Sequence, residues 1–450
     1  MSKIQTVESA VLHRDIRVDP PYVRGEGKYI IEKTTGRAIF DASCGAGVSI
    51  LGNTVNKRVR AARDRVEDEV MYASSASWGH EAIDEFAEFL VSSTGGVMKK
   101  VAVYNSGSDS MEAALKMAIQ YQTVEKLNPE PERVHFVARE ESYHGNTIST
   151  LALGGHKARR KLFKDQFPST FHHIPACNEY RQRGSSQSIE EFNAWHAKQL
   201  EDKILEIGAN KVAAFVAEPI VGAALGSMPA PKGYFKAIKK VLDKYGVLLI
   251  FDEIMCGMGR SGTMHAWQHE DVDVAPDIQT VGKGLGGGVE PIAAMLIGKK
   301  VSNALENNTG IFVHGYTYQN FPKICAAAHE VWKIVQEENL LENVAKMGKL
   351  LEHKLKAAVG SHRFVGNIRG RGGFWSIEFV KNKFTKEPFP PKAEPYNIHI
   401  YPGAGTADGI SGDHQLLAPP FTINENDVDL IVDRVTRVIN DFFAQHYPDL

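Results

Sequence analysis

"VAVYNSGSDSMEAALKMAIQYQ" runs from Val101 to Gln122. A short apolar run, Val101 to Tyr104, stops at a polar and glycine-containing turn, "NSGSDS" (Asn105 to Ser110). From Met111 the apolar residues recur with helical spacing. The same pattern returns along the chain. "VHFVA" (Val134 to Ala138) ends in "REESYHGN", "VAAFVA" (Val212 to Ala217) ends at "EP", and "GVLLIF" (Gly246 to Phe251) ends at "DE". "DIQTV" (Asp277 to Val281) ends at "GKG", and "IAAMLIG" (Ile292 to Gly298) closes the series. Helical segments such as "FKAIKKVLDKY" lie between several of these runs. Strands that are continuously apolar, rather than alternating, are buried on both faces. The expected fold is therefore α/β, with a mostly parallel central sheet and helices on both faces. In such sheets ligands sit beyond the carboxyl ends of the strands, and the unusual residues collect there.

Working outward, the N-terminal part from Val23 to Val55 reads as short strands, with "KTTG" as a hairpin turn. "IDEFAEFLVSS" (Ile83 to Ser93) has helical spacing. From Val331 the character changes to one long charged helical stretch, "VWKIVQEENLLENVAKMGKLLEHKLKAAV". The strand-like "FVGNIRGRGGFWSIEFV", a polar, proline-rich loop "KNKFTKEPFPPKAEP" and a final amphipathic helix, "DVDLIVDRVTRVINDFFAQH", follow. The expected division is residues 1–60 as a segment contributing to a small domain, 61–328 as a large domain, and 329–450 as a smaller α/β domain.

Composition narrows the function. A net charge of −2 leaves no basic footprint, so nucleic acid is not an expected partner. No apolar stretch is long enough to span a bilayer, and the N-terminus lacks the apolar run of a signal peptide. The four cysteines, Cys44, Cys177, Cys256 and Cys325, form no paired motif, so no metal site is expected. A cytoplasmic location is the expectation.

Lys283 lies among glycines in "GKGLGGG". It cannot belong to a P-loop, because Asp277 stands where the first glycine of that motif should be and Gly284 where its Ser or Thr should be. A lysine that loses its proton can instead form a Schiff base with a carbonyl. Asp252 at the end of "GVLLIF" is either a helix cap or the carboxylate that keeps a pyridinium protonated. "NSGSDS" at a helix start suits a phosphate or an ordinary cap. Tyr143 in "SYHGN" suits stacking on a flat ring or a place in the core.

Two stretches choose between these alternatives. "FDEIMCGMGRSG" (Phe251 to Gly262) and "PDIQTVGKGLGGGVEPIAAMLIG" resemble the segments around the cofactor-binding Asp and Lys of the class III, ω-amino acid type, pyridoxal-phosphate aminotransferases. The resemblance extends from about Tyr22 to Val438 and implies fold type I. It implies pyridoxal 5'-phosphate on Lys283, Asp252 at the pyridinium nitrogen, and Ser106, Gly107 and Ser108 at the phosphate. Tyr143, with His144 and Gly145, and Ile254 would flank the ring, and Glu218 would lie near its phenolic side. Thr317 in "HGYTYQNFP" would reach the phosphate of a neighbouring subunit, which implies a homodimer or higher oligomer with sites at the interface.

The implied reaction moves an amino group from a primary amine or ω-amino acid to a 2-oxo acid such as pyruvate. A racemase, aminomutase or lyase of the same fold is the alternative. In "YPGAGTADGISGDHQLLAPPF", Asp408 to Ser411 stand where many members of that family carry an arginine. Arg369 and Arg371 are then candidates for a substrate carboxylate, Trp78 is a candidate pocket wall, and Gly45 and Gly47 leave room for a bulky amine.

Overall fold

A computed structural model describes residues 9–383, 386–388 and 398–448. Much of the expected proline-rich loop lies outside these residues. Seven strands form the central sheet: β1 (Met98–Tyr104), β2 (His135–Arg139), β3 (Phe171–Ile174), β4 (Val212–Ala217), β5 (Leu248–Glu253), β6 (Ile278–Val281) and β7 (Ala293–Gly298). Their spatial order is β1-β7-β6-β5-β4-β2-β3. Strands β2 to β6 pair in parallel. Strand β7 runs antiparallel to both β6 and β1. Its link from β6 holds only the glycine loop and a short 3-10 turn. A parallel return requires a longer crossover, usually a helix, so the chain comes straight back.

Every residue of β4, β5 and β7 is buried, as their unbroken apolar runs require. On one face, α1 (Gly107–Gln120) packs Met111, Leu115 and Ala118 against Ile250, Ile278 and Met295. On the other, Phe235, Ile238 and Leu242 of α2 (Tyr234–Tyr245) meet Phe215, Leu249 and Phe251. Each such side chain contributes about 1.5–3 kcal/mol when fully buried. These two layers hold the sheet rigid, and its carboxyl edge with it. All four cysteines are buried and unpaired.

The "KTTG" turn joins Tyr29–Glu32 to Ala38–Asp41 in an antiparallel hairpin. That small sheet also holds Val23–Glu26, antiparallel to Tyr29–Glu32, and Ile398–His399, parallel to Ala38–Asp41. A third sheet contains Val365–Arg371, Phe374–Asn382, Asp413–Leu417 and Tyr401–Ala404. The expected single helix after Val331 is two, Pro322–Glu337 and Leu340–Val359. Asn339 breaks them at a φ of 52°, a left-handed conformation that asparagine tolerates better than most residues. Among the described residues no helix is long and apolar enough to cross a membrane.

Candidate active site

A cavity of about 440 Å³ opens at the carboxyl edge of the sheet. Ser106, Gly107, Ser108, Tyr143, His144, Glu218, Asp252, Ile254 and Lys283 all line it. They come from five separate strand ends, and the parallel register brings them together. Asp252 on β5 lies opposite Thr280 on β6, so Lys283, which follows β6 directly, lies on the neighbouring strand.

Lys283 has a φ of 49°. A non-glycine residue held there stores backbone strain, of the kind found at functional positions. Among the described residues its amine has no hydrogen-bond or ion-pair partner. Burial lowers its pKa from the ordinary lysine value, while the carboxyl groups of Asp252 and Glu218 oppose that shift and the Arg159 guanidinium adds to it. The result is an amine that sheds its proton more readily than an exposed lysine.

Asp252 is held on both oxygens. His144 Nδ1 lies 2.8 Å from its Oδ2, and the Ile254 N–H donates to its Oδ1 at 3.1 Å. Asp252 is therefore oriented by its neighbours and is not capping a helix. Glu218 accepts from the N–H groups of Tyr143 (3.2 Å) and Gly222 (2.8 Å). Burial raises its pKa, with Asp252 pushing the same way and His144 opposing.

At the other end of the cavity, Ser106 caps α1. Its Oγ accepts from the Asp109 N–H at 3.2 Å and donates to Asp109 Oδ2 at 2.7 Å. The N–H groups of Gly107 and Ser108 have no partner among the described residues, as the first donors of a helix lack one intrinsically. A Cβ on Gly107 would lie 2.9 Å from Ile254 Cγ2, and one on Gly282 would lie 3.1 Å from Ile254 Cδ1. Glycine at both positions lets Ile254 lie flat as one wall of a slot.

Four expected contacts lie outside this cavity. Arg371 pairs through Nη2 with Asp271 Oδ2 at 2.6 Å and does not line the cavity. Arg369 is buried against Glu378, with Nη1 2.5 Å from its Oε2. Trp78 is 70% exposed and is not a wall of this cavity. Thr317 is exposed, its carbonyl accepting from the Tyr72 hydroxyl at 2.7 Å, and it does not line the cavity of its own chain. Sequence reasoning missed Arg159, Pro291 and Tyr401, which do line it. Tyr401 comes from the third sheet, and no local motif announces it.

Pyridoxal phosphate fits these residues. The slot beside Ile254 suits a flat ring, the free N–H groups of Gly107 and Ser108 suit a phosphate, and Asp252 suits a protonated ring nitrogen. His144 Nε2 is buried without a partner at the same place.

Solved structures share the architecture. The ω-transaminase from Pseudomonas jessenii, in complex with PMP, superposes with a TM-score of 0.87 at 31% identity, over 96% of this chain and 94% of that one. The fold is that of a pyridoxal-phosphate-dependent transferase of fold type I. The chain belongs to the class-III aminotransferases, whose family model matches residues 13–439. An aminotransferase of Gibberella zeae is 46% identical over 441 residues, 95% of this chain and 85% of that protein. An aminotransferase of Schizosaccharomyces pombe is 42% identical, covering 94% of this chain and 93% of its own length. The activity is thus pyridoxal-phosphate-dependent transamination, and the cofactor is pyridoxal phosphate.

Proposed function

We propose that Lys283 holds the cofactor and moves the proton, in an enzyme that takes an amino group from a primary amine or ω-amino acid and passes it to a small 2-oxo acid. The observation that carries this reading is the unpartnered Lys283 amine in the same cavity as Asp252, with its pKa lowered by burial. Pyridoxal phosphate, when bound, supplies an electron sink that lets a proton leave the carbon bearing the amine.

The protein's own groups do the rest. Asp252, oriented by His144 and by the Ile254 N–H, keeps the ring nitrogen protonated. The Gly107 and Ser108 N–H groups hold the phosphate, with the α1 dipole behind them and Ser106 fixing the helix start. Tyr143 and Ile254, which both line the cavity, would flank the ring. Glu218 would lie on the phenolic side of the cofactor. Lys283 would hold the cofactor until a donor amine takes its place, and its freed amine would then be the group that carries the substrate's proton. Its lowered pKa suits it to the base role better than an exposed lysine.

Thr317, exposed on its own chain, completes the phosphate site of a partner subunit, so the working enzyme is a homodimer or larger. A cytoplasmic location completes the proposal. The test is a half-reaction. With amine donor alone and no acceptor, the absorbance of the bound cofactor shifts to its amine form, and added pyruvate restores it. Racemisation, isomerisation or elimination of the donor without that shift would favour the racemase, aminomutase or lyase reading instead.

A further inference from the structure

We propose that Arg159 is the specificity-determining contact for the substrate carboxylate, gripping the acid end of the 2-oxo acid acceptor. The proposal rests on the reading of Lys283 given above. Arg159 is the one arginine among the described residues that line the cavity, and Lys283 is the one other cation there. Its side chain makes no hydrogen bond or ion pair among the described residues. Instead the guanidinium carbon stands 4.5 Å from the centroid of the Tyr143 ring. That contact holds a long side chain in place without using its N–H groups. The planar fork of donors is left for a ligand, and a carboxylate matches it bidentately.

The neighbours of Arg159 on its short helix, Lys157–Arg160, are occupied. Lys157 Nζ donates to the Asp408 carbonyl at 2.6 Å. Arg160 stacks on Phe167, at 5.1 Å from the ring centroid, and its Nη1 lies 3.2 Å from His173 Nε2. The turn is tied down on both sides of Arg159, which alone reaches the cavity. Its charge is also felt at Lys283, where it adds to the lowering of the pKa. Both side chains line the one cavity, so a ligand that reacts at Lys283 shares that space with Arg159. The two other arginines that could take a carboxylate are already paired, Arg369 with Glu378 and Arg371 with Asp271.

The experiment uses cofactor-loaded Arg159→Met and Arg159→Lys beside the wild type. Each is assayed with pyruvate and with an aldehyde acceptor that lacks a carboxylate, against the same carboxylate-free primary amine. Losing a charge-assisted, bidentate contact should raise the KM for pyruvate about 10- to 100-fold in Arg159→Met, with a smaller rise in Arg159→Lys. Turnover of the aldehyde should stay within about twofold, because that substrate never meets the guanidinium. Equal losses with both acceptors would overturn the proposal and make Arg159 a support for Tyr143. Unchanged kinetics with both would overturn it as well. Wild-type enzyme that converts no amine would instead overturn the reading of Lys283. A propionate titration of the bound cofactor's absorbance still reads Arg159 in that event. The proposal expects binding about tenfold weaker or more in Arg159→Met, and equal binding contradicts it.

Discussion

Replacing His144 with alanine removes the partner that Asp252 Oδ2 holds at 2.8 Å. With Asp252 as the acceptor, Nδ1 of His144 carries the proton. His144 is 2% exposed and Asp252 4%, so water has little access to replace the lost donor. A hydrogen bond to a charged group contributes about 1.5–3 kcal/mol. If that interaction holds the carboxylate in position as charge develops on the ring, its loss lowers kcat/KM about 10- to 100-fold. The assay is steady-state transamination with one amine and one acceptor, on enzyme whose absorbance shows full cofactor loading. A thermal melt of the same sample separates a catalytic loss from unfolding. His144→Gln, whose side-chain amide can still donate, should recover part of the rate. Fully loaded, stably folded His144→Ala with kcat/KM within about twofold of wild type would refute the role given to this pair.

Gly107→Ala places a Cβ 2.9 Å from Ile254 Cγ2, so one of the two must shift at the wall of the ring slot. Overpacking of this kind costs about 1–3 kcal/mol, so cofactor affinity measured by fluorescence titration should fall, and affinity equal to wild type would contradict the close fit of Gly107 and Ile254. Incorporation of pyridoxal phosphate into apoprotein, followed by stopped-flow absorbance, should speed up with rising pH as Lys283 deprotonates. The midpoint should lie below the ordinary lysine value of 10.5, because burial disfavours the ammonium. Asp252→Asn removes a charge that holds this pKa up, so the midpoint should drop further in that variant. A wild-type midpoint at or above 10.5 would contradict the burial argument.

The sheet and the cofactor cavity were legible in the sequence for a physical reason. Strands buried on both faces leave unbroken apolar runs, and a parallel sheet delivers their ends to one edge. Lys283, Asp252, Tyr143 and Gly107 could be grouped before any geometry was known. The direction of β7 was not legible in this way, because an apolar run looks the same whichever way it points. It is the length of the preceding link that reverses it. Strand β3, "FHHI", was also missed, since two histidines interrupt its apolar character. Substrate contacts were harder still. Arg371 and Arg159 are both arginines in polar surroundings, and only their partners distinguish them. Asp271 occupies one, at a separation of 100 residues, while the ring of Tyr143 leaves the other's N–H groups free. Tyr401 is distant in the chain from every other cavity residue and is brought there by the third sheet.

The central claim is that Lys283 is the covalent anchor of the cofactor. Borohydride reduction of the loaded enzyme, followed by proteolysis and peptide mass mapping, tests it most directly. A single pyridoxyl adduct is expected, on Lys283, and none after prior conversion of the cofactor by amine donor. An adduct on any other lysine, or none at all in enzyme that carries the cofactor, would contradict it.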